Sequence, residues 1–455
     1  MKQVAIRMAL AGAFALAATL AGAGTVRVAV TGADIGGLQE RIDSVAAQGG
    51  GVVRVEAGEH EIRPLRLRSG VTLELADGAR LLASTNLEDY VGYRAVVDAD
   101  CVTNVALVGR GTIDGRGRHF REPKPLPGAA QPTVPMLLRF HRCKDVRIEG
   151  VTYRQSGSWG MHLRNCDGVV VRGVTCFNHN NRQNDGIDIE SKNVLIEDCD
   201  IDSDDDAICF KAESDKSFVV ENVRVRNCRL ASTCNFIKFG TGSYGLWRNI
   251  VVENCTLCRP AEKFRFCWRE RSGGRGLPGV TNVVTGLAGI ALELADGGRM
   301  EDVTVRDITM TGGVGTPLFA RLERRHKNED GVDSNFRNVV VERVRMTEPA
   351  ESRIASSITG VPGMNITGIT VRDCEFLFPG GGTFAEADET DIPENEKGYP
   401  EFFMFGKKAL PAFGLYLRHA DGIVITNVSL RTVSPDARPP IVGPEDPDTA
   451  YLRQK

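Results

Sequence analysis

Short segments in which apolar and polar residues alternate recur along most of the chain. Ten of them share a frame that begins with Asn, Asp or Gly and continues with spaced β-branched and apolar positions, as in "VENVRVRNCRLAST" (220–233) and "WRNIVVENCTLCRP" (247–260). An alternation with a period of two that breaks at Asn, Asp or Gly is typical of a short strand followed by a turn. The pattern therefore predicts a chain built mainly of short strands and turns.

The spacing of these segments predicts how the strands assemble. The copies follow one another at intervals of roughly 20 to 35 residues, with one or two strands in each. A parallel β-helix has this organisation, because each coil buries its inner face by stacking on the next coil. A propeller needs four-strand blades of about 40 residues, and a generic β-sandwich does not account for one dominant frame. We predict an all-β fold, a right-handed parallel β-helix (solenoid).

Three segments depart from the repeat. Within 32–62, Leu38, Ile42 and Val45 fall on one helical face and a triple glycine follows, which predicts an N-terminal helix that caps the coil stack and hides its edge strands. Residues 259–279 and 379–412 break the frame and predict two long loops. Long loops on a rigid repeat usually build a binding wall. We expect residues 24–455 to form a single β-helix domain that carries the active site.

The first 23 residues have a different character. Lys2 and Arg7 precede an apolar run at 8–20 and the small residues Ala21-Gly22-Ala23, a pattern typical of a secretory signal peptide that is cleaved before Gly24. The apolar run is short for a membrane span, and no later stretch is long and apolar enough to cross a bilayer. We expect an exported protein, periplasmic or secreted, without a membrane partner.

The charge balance and the cysteines narrow the possible partners of the protein and its expected disulfide content. The chain has 56 Lys+Arg against 59 Asp+Glu, so no overall field favours nucleic acid, and we predict no nucleic-acid partner. Half of the twelve cysteines recur at one phase of the repeat and predict stacked, buried thiols with few disulfides. These six are Cys143, Cys166, Cys199, Cys228, Cys255 and Cys374.

The stretch "QNDGIDIESKNVLIEDCDIDSDDDAICFK" (183–211) concentrates aspartates among strand residues. One coil separates Asp185 from Asp205 and Asp206, so in a β-helix these side chains stack about 4.8 Å apart. Carboxylates so close do not all ionise freely, which suits acid/base chemistry. Asp205 and Asp206 are consecutive and reach one cleft only if a turn or bulge falls there, which Ser203-Asp204 predicts. The alternative interpretation is that the aspartates are ordinary turn residues.

At these residues the chain resembles the polygalacturonase-like enzymes of glycoside hydrolase family 28. "GRGTIDGRG" (109–117) is similar to that family's glycine-rich coil, "QNDGIDI" to its Asn-Thr-Asp-Gly element, and "DSDDDAICFK" to its Thr-Gly-Asp-Asp-Cys-Ile-Ala-Ile-Lys stretch. The resemblance implies that Asp205 is the general acid, that Asp185 and Asp206 hold and deprotonate the attacking water, and that Asn184 contacts substrate. It also implies inverting hydrolysis of a pectic polysaccharide or oligosaccharide with no metal or organic cofactor.

The chain departs from that family at two cationic contacts. Cys234-Asn235-Phe236 stands where the family has Gly-His-Gly, and Ala291-Leu292-Glu293 stands where it has Arg-Ile-Lys. Both replacements remove cations that bind a galacturonate carboxylate, so we predict that unmodified galacturonan is not cleaved by internal attack. Asn235, together with Lys238 and Arg321, is expected to supply the substrate contacts instead.

Two other functions remain open from the sequence. The first is a β-helix polysaccharide lyase or uronate epimerase, in which Asp-rich turns bind Ca²⁺ and an Arg or Lys acts as the base. The second is a non-catalytic carbohydrate-binding or adhesive β-helix whose aspartates only form turns. Sensitivity to a chelator and formation of an unsaturated product distinguish the lyase. Indifference to Asp205→Asn distinguishes the binding protein.

Overall fold

The computed structural model describes residues 26–120, 134–181, 183–214, 217–261, 286–325 and 334–444. These residues form the predicted right-handed parallel β-helix, and all the pairings between its strands are parallel. The predicted signal peptide (1–23) and most of the predicted loop at 259–279 lie outside the described residues. Among the helices that are described, none is long and apolar enough to cross a bilayer.

Each coil contributes strands to three stacks, which we call sheets 1, 2 and 3 in chain order within a coil. Sheet 1 comprises Leu65–Arg66, Ala95–Asp100, Met136–His141, the first parts of Met161–Arg172 and Ile187–Glu197, Ile208–Ala212, Ile237–Ser243, Ala288–Leu294, Thr316–Leu322, Ser356–Thr359, Leu415–Arg418 and Ile441–Val442. Sheet 2 comprises Val26–Val30, Gly51–Val55, Val71–Leu75, Thr103–Gly109, Lys144–Glu149, the second parts of Met161–Arg172 and Ile187–Glu197, Val219–Arg226 and the first parts of Leu246–Cys258, Arg299–Met310, Phe336–Met346, Ile369–Phe378 and Val424–Thr432. Sheet 3 comprises Gly58–Ile62, Ala79–Ala83, Thr112–Asp114, Thr152–Arg154, Thr175–Asn178, Asp200–Ser203, Arg229–Ser232 and the last parts of those five long strands.

The alternation in the repeat places one side-chain row inside the coil. On sheet 2, Val169, Val194, Val223, Ile250 and Val303 follow one another in register, and each is no more than 2% exposed. Each β-branched side chain therefore packs on the equivalent residue of the next coil, and burial of this row drives the stacking.

The Asn that opens the repeat frame forms a ladder of its own. Asn193, Asn222 and Asn249 adopt the left-handed conformation, with φ of 55°, 56° and 53°. The Nδ2 of Asn222 donates to Oδ1 of Asn193 at 2.9 Å, and that of Asn249 to Asn222 at 2.7 Å. Asn tolerates this backbone region better than most residues and offers both a donor and an acceptor, so one turn stacks on the next.

The repeated cysteines occupy the buried row that was predicted for them. All six are buried, and the described cysteines are free thiols. Cys228 lies within hydrogen-bonding reach of both Cys199 and Cys255, and Cys143 pairs in the same way with Cys166. They act as small core residues that stack coil on coil.

The predicted N-terminal helix spans Leu38–Ala47. Its buried residues are Leu38, Ile42 and Val45. Gln39 reaches the first strand of sheet 1, where its amide exchanges two hydrogen bonds of 3.0 and 2.7 Å with the Arg66 backbone. The Gly49–Gly51 turn has φ of 93°, 108° and 153°, values that favour glycine, and it leads the chain into sheet 2. The helix therefore covers the open end of the stack.

The connection from sheet 3 to sheet 1 varies in length while the register of sheet 1 is kept. The strands of sheet 3 that end at Asn178, Ser203 and Cys258 are followed by the next strands of sheet 1, which begin 9, 5 and 30 residues later, at Ile187, Ile208 and Ala288. The parallel pairing of neighbouring sheet 1 strands continues through these coils.

The segment 379–412 folds over the outer face of sheet 1. It contains the short helix Phe384–Ala387 and ends at sheet 1's strand Leu415–Arg418. Its apolar residues join a second buried cluster on that face, which includes Leu287, Ala291, Phe319, Phe402, Met404 and Phe405. Three short 3-10 helices, Gly32–Gly37, Leu87–Tyr90 and Gly117–Phe120, complete the regular structure of the described residues.

Candidate active site

The aspartates singled out in the sequence lie together at the corner between sheets 3 and 1. Asp185 precedes the strand Ile187–Glu197, and the register Ile187↔Ile208 places it beside Asp206 on the next coil. Between Ser203 and Ile208 the chain leaves the extended conformation, at the turn that the sequence predicted. A carboxylate oxygen of Asp205 and one of Asp206 lie within 4.8 Å of each other, so both consecutive residues face the same cluster.

The three aspartates differ in exposure. Asp185 and Asp206 are each 3% exposed, whereas Asp205 is partly exposed. The Oδ1 of Asp205 accepts a hydrogen bond of 3.0 Å from the Asp206 backbone N–H. Asp205 is therefore the member of the trio that an entering substrate reaches first.

Asp206 is held as an anion. Its Oδ1 accepts hydrogen bonds from Nδ2 of Asn235 at 2.9 Å and from the Asn235 backbone at 3.2 Å, and Nζ of Lys238 lies 3.4 Å from Oδ2. Burial on its own raises the pKa of Asp206, but Lys238, Lys211 and the Asn235 hydrogen bond bring that pKa below its usual value. Asp206 is thus held in its ionised form, as a carboxylate.

Asp185 and its neighbour Asp188 are shifted in the opposite direction. Burial, followed by the charges of Asp188 and Asp205, raises the pKa of Asp185 well above its usual value. Burial also raises the pKa of Asp188 to about 7, against the attraction of Lys211. Lys211 Nζ lies 3.7 Å from Asp188 and 4.0 Å from Asp185. The cluster therefore holds carboxyl groups of opposite protonation preference side by side.

Asn184 does not point toward a substrate. Its Oδ1 accepts hydrogen bonds from the backbone N–H groups of Asn180 and Asn181 at 2.8 and 2.6 Å, and its Nδ2 donates to the Ser158 carbonyl at 2.8 Å. The residue is 0% exposed. The prediction of a substrate contact is therefore corrected. Asn184 is a positioning residue that fixes the loop carrying Asp185.

Arg321 is corrected for a similar reason. It is 0% exposed, and its guanidinium donates to the Gly360 and Glu394 carbonyls at 2.7 Å each and to Glu323 at 3.1 Å. These contacts attach the 379–412 segment to sheet 1. A guanidinium committed to protein acceptors does not serve as the predicted anchor for a uronic acid.

Asn235 and Lys238 are in the cluster, but beneath its surface. Asn235 is 0% exposed and Lys238 1%, so the predicted direct contacts to substrate are corrected for both. Lys238 Nζ lies 3.0 Å from Glu401, 3.4 Å from Asp206 and 3.7 Å from Glu293. Both residues contact Asp206, Asn235 by hydrogen bonds and Lys238 as a counter-charge.

Sequence reasoning missed several groups of the cluster. Lys211 and Asp188 lie within the segment 183–211 that contains the aspartates. Asp188 follows Gly186 and Lys211 follows Cys209 at a spacing of two residues, and this alternation was the available signal for a shared strand face. Trp159 lies with its ring 5.3 Å from Lys211 Nζ, and the exposed Tyr399 ring lies 5.4 Å from Lys238 Nζ. Half-buried or exposed aromatic rings beside carboxyl groups form an apolar surface with a few polar groups, as ligand sites do.

Two sets of residues bring metal-binding atoms together. They are Asp185, Asp188 and Cys209, and Asp205, Asp206 and Cys234. Ca²⁺ takes six to eight oxygen ligands, and each set offers two carboxylates and a thiol, with a lysine close by. The donor set therefore does not fit Ca²⁺ without further ligands, and we derive no metal step.

Comparison with known proteins gives consistent matches. The family model Glycosyl hydrolases family 28 matches residues 52–257, which contain the three aspartates. A probable polygalacturonase of Vitis vinifera is 24% identical over 365 residues, 72% of this chain and 68% of the relative. A probable rhamnogalacturonase A of Aspergillus oryzae is 24% identical over 265 residues, 55% of this chain and 50% of the relative.

The fold is matched in solved structures as well. A hyperthermoactive exopolygalacturonase of Thermotoga maritima superposes with a TM-score of 0.65 at 19% identity, over 89% of this chain and 92% of that one. At this identity the likeness concerns the fold, whereas the family match covers the sequence that carries the aspartates. Residues 52–257 therefore match family 28 of the glycosyl hydrolases, and the chain is a glycosidase.

Proposed function

We propose that this glycosidase hydrolyses O-glycosidic bonds of a pectic polysaccharide or oligosaccharide by an inverting acid/base mechanism. The single observation that carries the mechanism is the pairing of Asp206, held as an anion by Asn235 and Lys238, with the more exposed Asp205 on the same turn. Both curated relatives described above are, by their names, enzymes of pectic galacturonans. This supports a pectic substrate for the same site here.

The residues divide the steps of the reaction. Asp205 gives its proton to the glycosidic oxygen as the bond from that oxygen to the anomeric carbon breaks. A water attacks the anomeric carbon from the opposite face and gives a proton to Asp206. Asp185, whose pKa is raised, holds the water by hydrogen bonding and remains available as an acceptor once a neighbour is protonated. The products are a leaving saccharide and a reducing sugar of inverted anomeric configuration.

Attack from a chain end suits the geometry better than internal attack. Lys238 is in register with Ala291, and Ala291 with Phe319, and both of these outward residues are buried under the 379–412 segment. The outer face of sheet 1 is therefore covered beyond Lys238. A polysaccharide extends over the Lys211 side, and its terminus lies near Lys238.

A panel of pectic polysaccharides and oligosaccharides tests this function. We expect new reducing ends, an inverted anomeric product by NMR and a slow loss of viscosity, as chain-end attack gives. Rapid viscosity loss on polygalacturonate shows internal attack. A rise in absorbance from an unsaturated product, abolished by a chelator, identifies the lyase instead.

The non-catalytic alternative has its own test. Asp205→Asn removes the proposed acid, and Asp200→Asn is a matched control because Asp200 is exposed on sheet 3 and pairs with Arg229 at 2.6 Å. Loss of hydrolysis in the first variant and not in the second supports the proposal. A binding protein shows no hydrolysis in either variant or in the wild type.

Export of the mature protein is part of the proposal and rests on the pattern of residues 1–23. Expression of the full chain with fractionation, followed by N-terminal sequencing, is expected to give an extracytoplasmic protein that starts at Gly24. A cytoplasmic protein with an intact N-terminus contradicts export and leaves the hydrolase proposal in place.

A further inference from the structure

Two hydrogen-bond donors beneath the active site are shared between Asp206 and a carboxyl group from outside the repeat. That group belongs to Glu401, which lies on the 379–412 segment and is 5% exposed. Nδ2 of Asn235 lies 2.9 Å from Oδ1 of Asp206 and 3.4 Å from each carboxyl oxygen of Glu401. Nζ of Lys238 lies 3.0 Å from Glu401 and 3.4 Å from Asp206. The two carboxyl groups therefore compete for one amide and one ammonium.

The surroundings of Glu401 place its titration near neutral pH. The described titratable groups that face it directly are Asp206, Cys234, Lys238, Glu293 and Tyr399. Burial raises the pKa of Glu401 to about 7, against the attraction of Lys238 and together with the repulsion of Asp206. The Glu401 side chain is therefore mainly protonated at pH 5 and mainly ionised at pH 8.

The proposed reaction changes the charge beside Lys238. Asp206 is ionised at rest and becomes a neutral acid when it takes the proton of the attacking water. Lys238 is 1% exposed, and a buried ammonium that loses its counter-charge is costly. Glu293 lies 3.7 Å from its Nζ, farther than Glu401, and burial raises the pKa of Glu293 well above its usual value. Glu401 is therefore the better counter-charge for Lys238 in this state.

We propose that Glu401 is a positioning residue for the base Asp206: it shares Asn235 and Lys238 with Asp206, and it keeps Lys238 paired while Asp206 carries the proton of the attacking water. The proposal rests on the proposed hydrolase function and deepens it. An ionised Glu401 draws Lys238 away from Asp206 and so makes Asp206 a stronger base. A protonated Glu401 leaves both donors to Asp206 and makes it a weaker base.

The attachment of the 379–412 segment does not depend on Glu401. Arg321 donates to the Glu394 carbonyl at 2.7 Å, and Arg418 donates to the Ile392 and Pro393 carbonyls at 2.7 and 2.8 Å. These bonds tie the segment to sheet 1 through its backbone. We therefore expect Glu401→Gln to keep the segment in place and to change only the charge next to Lys238.

The pH dependence of kcat tests the proposal. Gln has the shape of a protonated Glu but does not ionise, so kcat of Glu401→Gln is expected to equal that of the wild type at pH 5. At pH 8 we expect it to be about three- to tenfold lower. A change of about 1 in the pKa of a base alters its proton affinity tenfold, and part of that change appears in the rate. KM is expected to stay the same at both pH values.

Two further variants separate this role from a structural one. Glu401→Asp can ionise and is expected to restore part of the rise in kcat with pH. Glu396→Gln is the matched control, because Glu396 lies on the same segment, is 39% exposed and pairs with Arg324. We expect it to follow the wild type at every pH. A loss in Glu401→Gln that is the same at pH 5 and pH 8 overturns the proposal and leaves the hydrolase function standing.

A measurement without substrate distinguishes failure of the proposal from failure of the hydrolase function. NMR titration of the full chain with ¹³C-carboxyl-labelled Glu follows Glu401, whose signal is the one missing in Glu401→Gln. Asp206→Asn removes a like charge and leaves Lys238 to Glu401, so we expect it to lower the pKa of Glu401 by about 1 or more. An unchanged pKa overturns the shared-donor proposal, and absence of hydrolysis by the wild type overturns only the hydrolase function.

Discussion

The outer face of sheet 2 and the aspartate cluster use the same stacking of coil on coil with opposite charge patterns. On sheet 2, Glu and Arg alternate through eight successive coils in register: Glu149, Arg172, Glu197, Arg226, Glu253, Arg306, Glu342 and Arg372. We call this row the charge ladder. Glu197, for example, accepts hydrogen bonds from Arg172 and Arg226 at 2.6 and 2.7 Å.

The pKa shifts of the two regions run in opposite directions. Partial burial tends to raise the pKa of Glu197, but Arg226 and Arg172 hold it below its usual value, and the same holds for Glu253 and Glu342 with their arginines. In the cluster, burial and like charges raise the pKa of Asp185 instead. Coil stacking alone therefore does not decide whether the pKa of a carboxyl group is raised or lowered. Opposite charges on neighbouring coils lower the pKa of the ladder carboxylates Glu197, Glu253 and Glu342, whereas burial and like charges raise the pKa of Asp185.

The largest effect is expected when the anion of the cluster is removed. Asp206→Asn cannot accept a proton, so we expect kcat to fall by about 10² to 10⁴-fold on the pectic substrate that the panel identifies, with little change in KM. The control is Asp200→Asn, which makes the same change at an exposed position. Initial rates measure both. A fall of less than tenfold for Asp206→Asn transfers the base role to Asp185.

A substrate-dependent loss is expected for the proposed acid. Asp205→Asn keeps the shape of the side chain but delivers no proton, so natural saccharides are expected to react about 10² to 10⁴-fold more slowly. An aryl glycoside with an acidic leaving group needs little protonation and is expected to lose far less. Equal slowing of both substrates assigns the acid elsewhere, with Asp206 the first candidate.

The raised pKa values predict how stability depends on pH. Asp188 and Glu401 each have a pKa raised to about 7, so between their ordinary values and 7 the folded state holds protons that the unfolded state releases. Their contribution to stability is therefore present at low pH and lost as pH rises through 7. We expect Tm to fall between pH 5 and pH 8, a window above the titration of the ladder carboxylates.

The variants Asp188→Asn and Glu401→Gln sharpen this prediction, because each removes one of the titrating groups. The slope of Tm against pH is expected to be shallower for each than for the wild type, and Asp200→Asn is expected to keep the wild-type slope. A wild-type slope in all three variants shows that other groups set the pH dependence.

The smallest effect is expected on the ladder. Glu253 is bound by Arg224 and Arg306, and its side chain is 12% exposed. Because the arginines are partly solvated, Glu253→Gln is expected to lower the free energy of unfolding by about 1 kcal/mol, measured by urea denaturation, and to leave kcat unchanged. A loss of activity comparable to that of Asp206→Asn would end the distinction between the two regions.

The part of the molecule that repeats was accessible from sequence. Three patterns in the sequence each predict a contact between one coil and the next: the β-branched alternation, the repeated Asn and the repeated Cys. The strands and the juxtaposition of Asp185 with Asp206 therefore follow from the spacing. The predicted helix at Leu38–Ala47 follows from its own periodicity. Because such patterns are local and recur, they can be recognised in the sequence.

The contacts made by the non-repeating segments could not be predicted from the sequence. Glu401 is 163 residues from Lys238 in the chain. The repeat pattern does not predict that the 379–412 segment returns to sheet 1 beside Lys238. For the same reason Arg321 was expected to face a substrate, although its donors bind the backbone of that loop. Burial of Asn184 depends on the backbone N–H groups of Asn180 and Asn181 that bond its side chain, and residue type alone does not predict these contacts.

The variable connection between sheets 3 and 1 has a consequence for how such enzymes diversify. Intervals of 9, 5 and 30 residues, from Asn178 to Ile187, from Ser203 to Ile208 and from Cys258 to Ala288, are accommodated at this corner while the strands of sheet 1 stay paired. Insertions at this corner change the surroundings of the aspartates, while the coils that hold the aspartates remain as they were. Recombination or design can therefore exchange the loops at this corner for one another. Substrate preference can then evolve separately from the stability of the β-helix.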